Sequence, residues 1–311
     1  MNAAPKTRLG IVDLDTSHPA AWIPIERELG CEIAGVWDGG AVHPAGYAHT
    51  FAREHGIARV FENLAEMAAG VDAVVLHGCD WDTHVARARP FVEAGKAVLI
   101  DKPLAGNLAD LRQLARWADE GARIFGGSAL RHARELAAWQ ALPPTQRGVP
   151  RTALCGCATD AFNYGIHAYT FLCAALGPGV RSARHLGADV QERVEVRWHD
   201  GRVGWVVVGE APGGWIPFYG TLVTDRTVVQ MQPKPEDLYR AFLEQVIPRL
   251  ATPGAAPPCA FSELIEPELA ALAALQSKRS GGREVCLADI RADTRHDGAA
   301  FSTMYRKSKY A

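Results

Sequence analysis

An acid, a lysine and a proline end the short apolar run Ala97-Val98-Leu99-Ile100 as Asp101-Lys102-Pro103, and a helix-like pattern follows from Asn107. This order puts an ammonium group on a rigid turn at the carboxyl end of a buried strand, where open α/β sheets bind their ligands. If the rest of the chain builds such a sheet, Lys102 is where chemistry is to be sought. Seven cysteines are scattered through the chain, with no Cys-x-x-Cys pair and no Cys/His set at zinc spacing, so no metal site is expected. Cys155-Gly156-Cys157 is the one close pair, and on a strand both thiols would face the same side.

The elements that must hold Lys102 fall into two halves of different rhythm. Residues 8 to about 128 alternate brief apolar strands (8–14, 32–38, 72–77, 97–100 and 123–125) with helix candidates near 19–30, 45–55, 82–95 and 107–120. The strands are apolar on both faces, as in a parallel sheet covered by helices. Several helices stop at a glycine, among them Gly30, Gly56, Gly95 and Gly121. The pattern predicts a Rossmann-like doubly wound domain over 1–128. From there to residue 311 an α+β domain is expected, with the boundary near 128–150. A helix near 164–176 precedes closely spaced strands at 181–187, 192–199, 203–210, 216–223 and 226–231, with an Asp200-Gly201 hairpin turn. Two long helices, near 236–250 and 263–280, are expected to close the chain, with no helix beyond them. A mostly antiparallel open sheet with one helix layer leaves a free face that suits a subunit contact, so a homo-oligomer is expected.

Composition narrows the partners. The 311 residues carry 22% charged side chains and a net charge of -2, without the concentrated basic surface that nucleic acid needs. Arg306-Lys307-Ser308-Lys309 is a short basic run that reads as solvated. Met1 to Lys6 lack the apolar core of a signal peptide, and no apolar run is long enough for a bilayer. A cytoplasmic setting is expected.

The two halves, joined to a strand ending in Asp-Lys-Pro, resemble the Gfo/Idh/MocA family of glucose–fructose oxidoreductase and inositol dehydrogenase relatives. The resemblance spans nearly the whole chain. Asp101-Lys102-Pro103 stands where the family has Glu-Lys-Pro, and Asp80-Trp81-Asp82-Thr83-His84 with Val92-Glu93-Ala94-Gly95-Lys96 is similar to its preceding loop and helix. Leu275-Gln276-Ser277 through Ser280-Gly281-Gly282-Arg283-Glu284-Val285 matches its final helix and strand, which may return to the first domain. The family's Asp-x-Gly-x-His corresponds to Asn163-Tyr164-Gly165-Ile166-His167, with Asn163 in place of the carboxylate. The resemblance implies a nicotinamide-dependent oxidoreductase for a secondary alcohol or ketone of a sugar, cyclitol or related polyol. Lys102 and His167 would be its catalytic pair, with His167 taking the hydroxyl proton. Asn163, Tyr164 and Asp160 would orient the substrate, Asp160 as a substitute carboxylate, while Trp215, Phe218 and Tyr219 read as sheet packing. Asp38, at the end of the second strand, and Asp101 would serve the cofactor, with Asp38 favouring NAD over NADP.

One stretch departs from the pattern. Where a dinucleotide fold places Gly-x-Gly-x-x-Gly, this chain has Asp13, Asp15 and His18 within Asp13-Leu14-Asp15-Thr16-Ser17-His18-Pro19. A carboxylate about 4 Å from a phosphate charge would cost roughly 1 kcal/mol in water and about 4 kcal/mol at an effective dielectric of 20. Three readings stay open. Thr16 or Ser17 caps the next helix; or Asp15 supplies an internal anion at its N-terminus; or a displaced cofactor is contacted by Asp15, Thr16, Ser17 and His18. Two other functions stay open with them: a non-catalytic binding protein of this fold that has lost its dinucleotide, and an NAD-assisted elimination or glycoside cleavage.

Overall fold

The computed structural model describes residues 6–210 and 214–310, so the opening Met1–Pro5 lies outside the described residues. Five strands form the first sheet: β1 (Thr7–Val12), β2 (Cys31–Trp37), β3 (Ala73–Leu76), β4 (Ala97–Asp101) and β5 (Ile124–Gly127). Their order is β2-β1-β3-β4-β5, all parallel. The side chains of β3, β4 and β5 are wholly buried, as expected where helices cover both faces of a parallel sheet. The intervening helices are α1 (His18–Glu28), α2 (Tyr47–Glu54), α3 (Leu64–Gly70), α4 (His84–Glu93) and α5 (Leu108–Asp119). Gly95 takes a left-handed φ of 67° just past α4, which a side chain would strain. Of these helices only α3, one short amphipathic segment after its Asn63 cap, falls outside the sequence expectation.

After α6 (Arg134–Gln140) and α7 (Pro144–Arg147) comes the second sheet. It contains β6 (Pro150–Ala158), β7 (Val180–Ala188), β8 (Gln191–Trp198), β9 (Val203–Gly209), β10 (Tyr219–Thr224), β11 (Val228–Met231) and β12 (Val285–Cys286). The order is β11-β10-β6-β9-β8-β7-β12, antiparallel except for β6 against β9. β6 was not foreseen as a sheet member, because Ala, Cys and Gly dominate it and its propensity is weak. Its Cys155 and Cys157 are both buried. α8 (Gly165–Leu176) and α11 (Glu266–Arg279) pack on one face of this sheet. Along β9 and β10, buried residues alternate with half-buried ones.

α9 (Pro235–Ala251) and α10 (Phe261–Leu264) precede α11, and α12 (Gly298–Tyr310) is the last element. The closing strand β12 pairs with β7 in the second sheet. It is α12 that returns to the first domain, and it takes in the basic run 306–309 that the sequence reads as a solvated tail. Among the described residues, no helix is long and apolar enough to cross a membrane.

Candidate active site

The turn after β4 carries Lys102, and the Lys102–Pro103 peptide is cis. Its ammonium reaches across to the second domain, donating to the Asn163 backbone carbonyl at 3.0 Å and to Asn163 Oδ1 at 3.3 Å. The Tyr164 ring lies beneath it, 5.5 Å from Nζ. Burial lowers the Lys102 pKa, against the opposing charges of Asp101 and Asp160.

His167 sits in the first turn of α8 and is buried. Its Nδ1 lies 2.6 Å from Ser128 Oγ, which also accepts the Leu130 backbone N–H at 3.1 Å. Burial holds the imidazole well below its usual pKa, and the charge of Lys102 adds to the effect. Ser128 follows β5 and is therefore contributed by the first domain; no sequence motif pointed to it. Tyr164 and Phe218 pack edge-on to His167, with centroids 5.4 and 5.1 Å away, and Trp215 stands against Tyr164 at 5.4 Å. Phe218 is buried in the core, as the packing expectation has it, whereas Trp215 is exposed beside Tyr164. Asp160 does not replace the missing carboxylate beside His167. Its side chain accepts from the backbone N–H groups of Phe162 and Tyr164 and so shapes the turn into α8.

The β1–α1 loop is built differently from a phosphate cradle. Asp13 is buried with a left-handed φ of 64°, a conformation that aspartate tolerates better than most side chains. One carboxylate oxygen pairs with Arg87 of α4, and the other accepts the Gly39 N–H at 3.0 Å. Burial lowers the Arg87 pKa to about 10. Asp15 is also buried; its Oδ2 accepts the Cys79 N–H at 2.9 Å, and burial raises its pKa. This carboxylate is therefore committed to the β3 loop, away from the helix N-terminus where an internal anion was one reading. Ser17 stands at the N-cap of α1 without a side-chain bond, whereas Thr16 Oγ1 accepts the His18 N–H at 3.2 Å.

The last helix crosses this region. Asp82 caps its start, accepting from Gly298 N–H at 3.0 Å, and Phe301 packs on Trp81 with centroids 5.1 Å apart. At its far end Lys309 Nζ donates to the Asp15 carbonyl at 2.8 Å, and Tyr310 Oη lies 2.5 Å from His43 Nδ1. α12 therefore runs from the loop after β3 to the loops after β1 and β2, along the crevice where such sheets take a dinucleotide. Most of its side chains are exposed; among them only Ser302 is buried, alongside Gly298.

The two ends of that crevice suit a dinucleotide. At one end, just after β2, Asp38 Oδ1 is buried without a partner, as a ribose hydroxyl would require. At the other lie Lys102 and His167. The middle, where a pyrophosphate would need close backbone approach, is roofed by Lys309. Asp101, expected to serve the cofactor, is engaged by two histidines. Its Oδ2 lies 2.5 Å from His18 Nδ1 and 3.0 Å from His77 Nδ1. Burial pushes the Asp101 carboxyl up, but these histidines outweigh it and hold it well below the usual range.

Comparison with known proteins agrees with this architecture. Residues 13–126 match the model of the oxidoreductase family with an NAD-binding Rossmann fold, Gfo/Idh/MocA. Inositol 2-dehydrogenase 1 of Saccharopolyspora erythraea is 48% identical over 64 residues, 20% of this chain and 19% of that protein. Trans-1,2-dihydrobenzene-1,2-diol dehydrogenase of Oryctolagus cuniculus is 40% identical over 68 residues, 22% of this chain and 21% of that protein. The matched stretches thus span about a fifth of these curated relatives. Two solved structures share the fold across both domains. GenD2 from gentamicin A biosynthesis, in complex with NAD, has a TM-score of 0.75 at 19% identity, covering 92% of this chain and 98% of that one. Myo-inositol dehydrogenase from Lactobacillus casei, with NAD(H) and myo-inositol, has a TM-score of 0.77 at 16% identity, covering 90% and 96%.

Proposed function

We propose, from the match of residues 13–126 to the Gfo/Idh/MocA oxidoreductase model, that the protein is a nicotinamide-dependent oxidoreductase acting on a secondary alcohol or ketone of a sugar, cyclitol or related polyol. One observation carries the reading: Lys102 after β4 and His167 in α8 approach the same Tyr164 ring, at 5.5 and 5.4 Å. Ser128 Oγ accepts from Leu130 N–H and, in the tautomer this reading requires, from His167 Nδ1–H, so that Nε2 of the neutral imidazole is left to take a hydroxyl proton. Asn163 occupies two of the three Lys102 ammonium protons, and the third is available to the same substrate oxygen. Tyr164 and Trp215 present ring faces of the kind that pack against the apolar side of a sugar ring. A bound nicotinamide would supply the hydride chemistry, with Asp38 holding the adenosine ribose and NAD preferred. The half-buried face of the second sheet would serve as a homo-oligomer contact.

Calorimetric titration with NAD(H) and NADP(H), followed by assay of a polyol panel with Lys102→Ala and His167→Ala as controls, tests the reading. It fails if no dinucleotide binds, or if both variants retain turnover. The glycine-less loop and the helix across it favour a second reading, a non-catalytic binding protein that has lost its dinucleotide. Polyol binding without dinucleotide binding would support that alternative.

A further inference from the structure

His18, His77 and Asp101 lie 83 and 24 residues apart along the chain, measured to Asp101, yet folding brings them together. His18 opens α1, His77 directly follows β3, and Asp101 ends β4, all at one edge of the first sheet. Their donor atoms, two Nδ1 and one carboxylate oxygen, all lie within 4.8 Å of one another. The rings are held in place. Trp22 stacks against His18 at 5.6 Å and meets His77 edge-on at 4.8 Å, and Tyr239 closes on His18 at 5.0 Å. His77 has no other side-chain partner, because its Nε2 is buried and unbonded. The second oxygen of Asp101 accepts the Lys102 backbone N–H, which fixes the carboxylate plane.

The charge balance is unusual. The Lys102 ammonium is turned away to Asn163, and among the described residues no lysine or arginine pairs with Asp101. With both imidazoles deprotonated, as metal ligation requires, the three groups carry a charge of about -1, which a divalent cation would bring to about +1 and an anionic fourth ligand to zero. Two imidazoles and one carboxylate are a donor set for first-row divalent metals, bound at about 2.0–2.2 Å. Donors at that range around one ion stand about 3.0–3.5 Å apart, so binding draws the two rings and the carboxylate into that spacing from within 4.8 Å.

We propose that His18, His77 and Asp101 form a site for a divalent transition-metal ion, zinc or a close relative, with a fourth position open for a hydroxyl or alkoxide oxygen. His18 retains 15% side-chain exposure, so the cluster is not sealed. The site lies directly before Lys102 in the chain, which places a Lewis acid beside the ammonium already assigned to the substrate oxygen. The inference stands on this cluster alone and does not depend on the dinucleotide.

The test uses the full chain, loaded separately with Zn2+ or Co2+, dialysed against metal-free buffer and assayed by mass spectrometry. About one equivalent per chain should be retained, and the Co2+ form should show a visible ligand-field band. His18→Gln, at the partly exposed member, should weaken binding by more than the roughly 10–100-fold that loss of an outer-shell partner costs. His199→Gln, at an exposed turn, should leave it unchanged. Circular dichroism verifies that both variants fold. No retained metal, or equal retention in folded His18→Gln, overturns the site. NAD(H) titration of the same metal-loaded sample separates the two readings, because metal retained without dinucleotide binding removes only the oxidoreductase proposal.

Discussion

The Lys102 end of the crevice and its middle, at the β1 loop, treat charge differently. Beside Lys102, the ammonium and the His167 imidazole are held by neutral partners, Asn163 and Ser128, and so remain available to a ligand. At the β1 loop, every charge is spent on the protein itself. Asp13 is locked to Arg87, Asp15 to a backbone N–H, and Lys309 to the Asp15 carbonyl. One region is arranged for reaction and the other for structure, although the same sheet edge supplies both. The difference teaches that a fold can keep its reactive corner while the neighbouring loop is rebuilt.

Substitutions can break or sharpen this contrast. The largest effect is expected at the β1 loop. Arg87→Met should destabilise the protein by about 3–5 kcal/mol in denaturant unfolding, because it strands a buried Asp13 carboxylate. A change below about 1 kcal/mol would show that the two regions are not so different. Lys102→Ala should do the reverse, lowering kcat/KM by about 10²–10³ with little change in unfolding midpoint. Lys309→Ala removes the tie between α12 and the Asp15 carbonyl, and should tighten NAD(H) binding by about tenfold, the equivalent of one charge-assisted hydrogen bond. Weaker binding instead would make α12 a support for the cofactor. The smallest effect is expected at Ser128→Ala, a loss of about tenfold or less in kcat as the imidazole loses its preferred tautomer.

The pH profile adds a check with a definite sign. Burial lowers the His167 pKa below 6.5, so the proton-accepting form persists on the acid side and the acid limb of kcat/KM should fall below that value. Burial lowers the Lys102 pKa as well, so the alkaline limb should fall below 10.5. An acid limb at or above 6.5 would mean that His167 is not the group titrating.

Much of this was legible in the sequence. Strand–helix alternation fixes the parallel sheet, and the Asp-Lys-Pro and Gly-x-His patterns place Lys102 and His167 on facing elements. What escaped depends on distance along the chain. Arg87 lies on an ordinary helix, and nothing local marks it as the partner of Asp13. Ser128 and His77 occupy strand ends where serine and histidine carry no spacing signal. β6 has poor strand propensity and is fixed by its neighbours β9 and β10. A basic run usually belongs in solvent, and this one stays exposed along α12; only the crevice opposite accounts for the bond from Lys309 to the Asp15 carbonyl.

The pairing of Asp13 with Arg87 also couples the two positions energetically. Glycine at position 13 alone would leave an unpaired buried guanidinium, and replacing Arg87 alone would leave an unpaired carboxylate. Changing both together should therefore cost less than the two single changes summed, so the β1 loop and α4 behave as one unit.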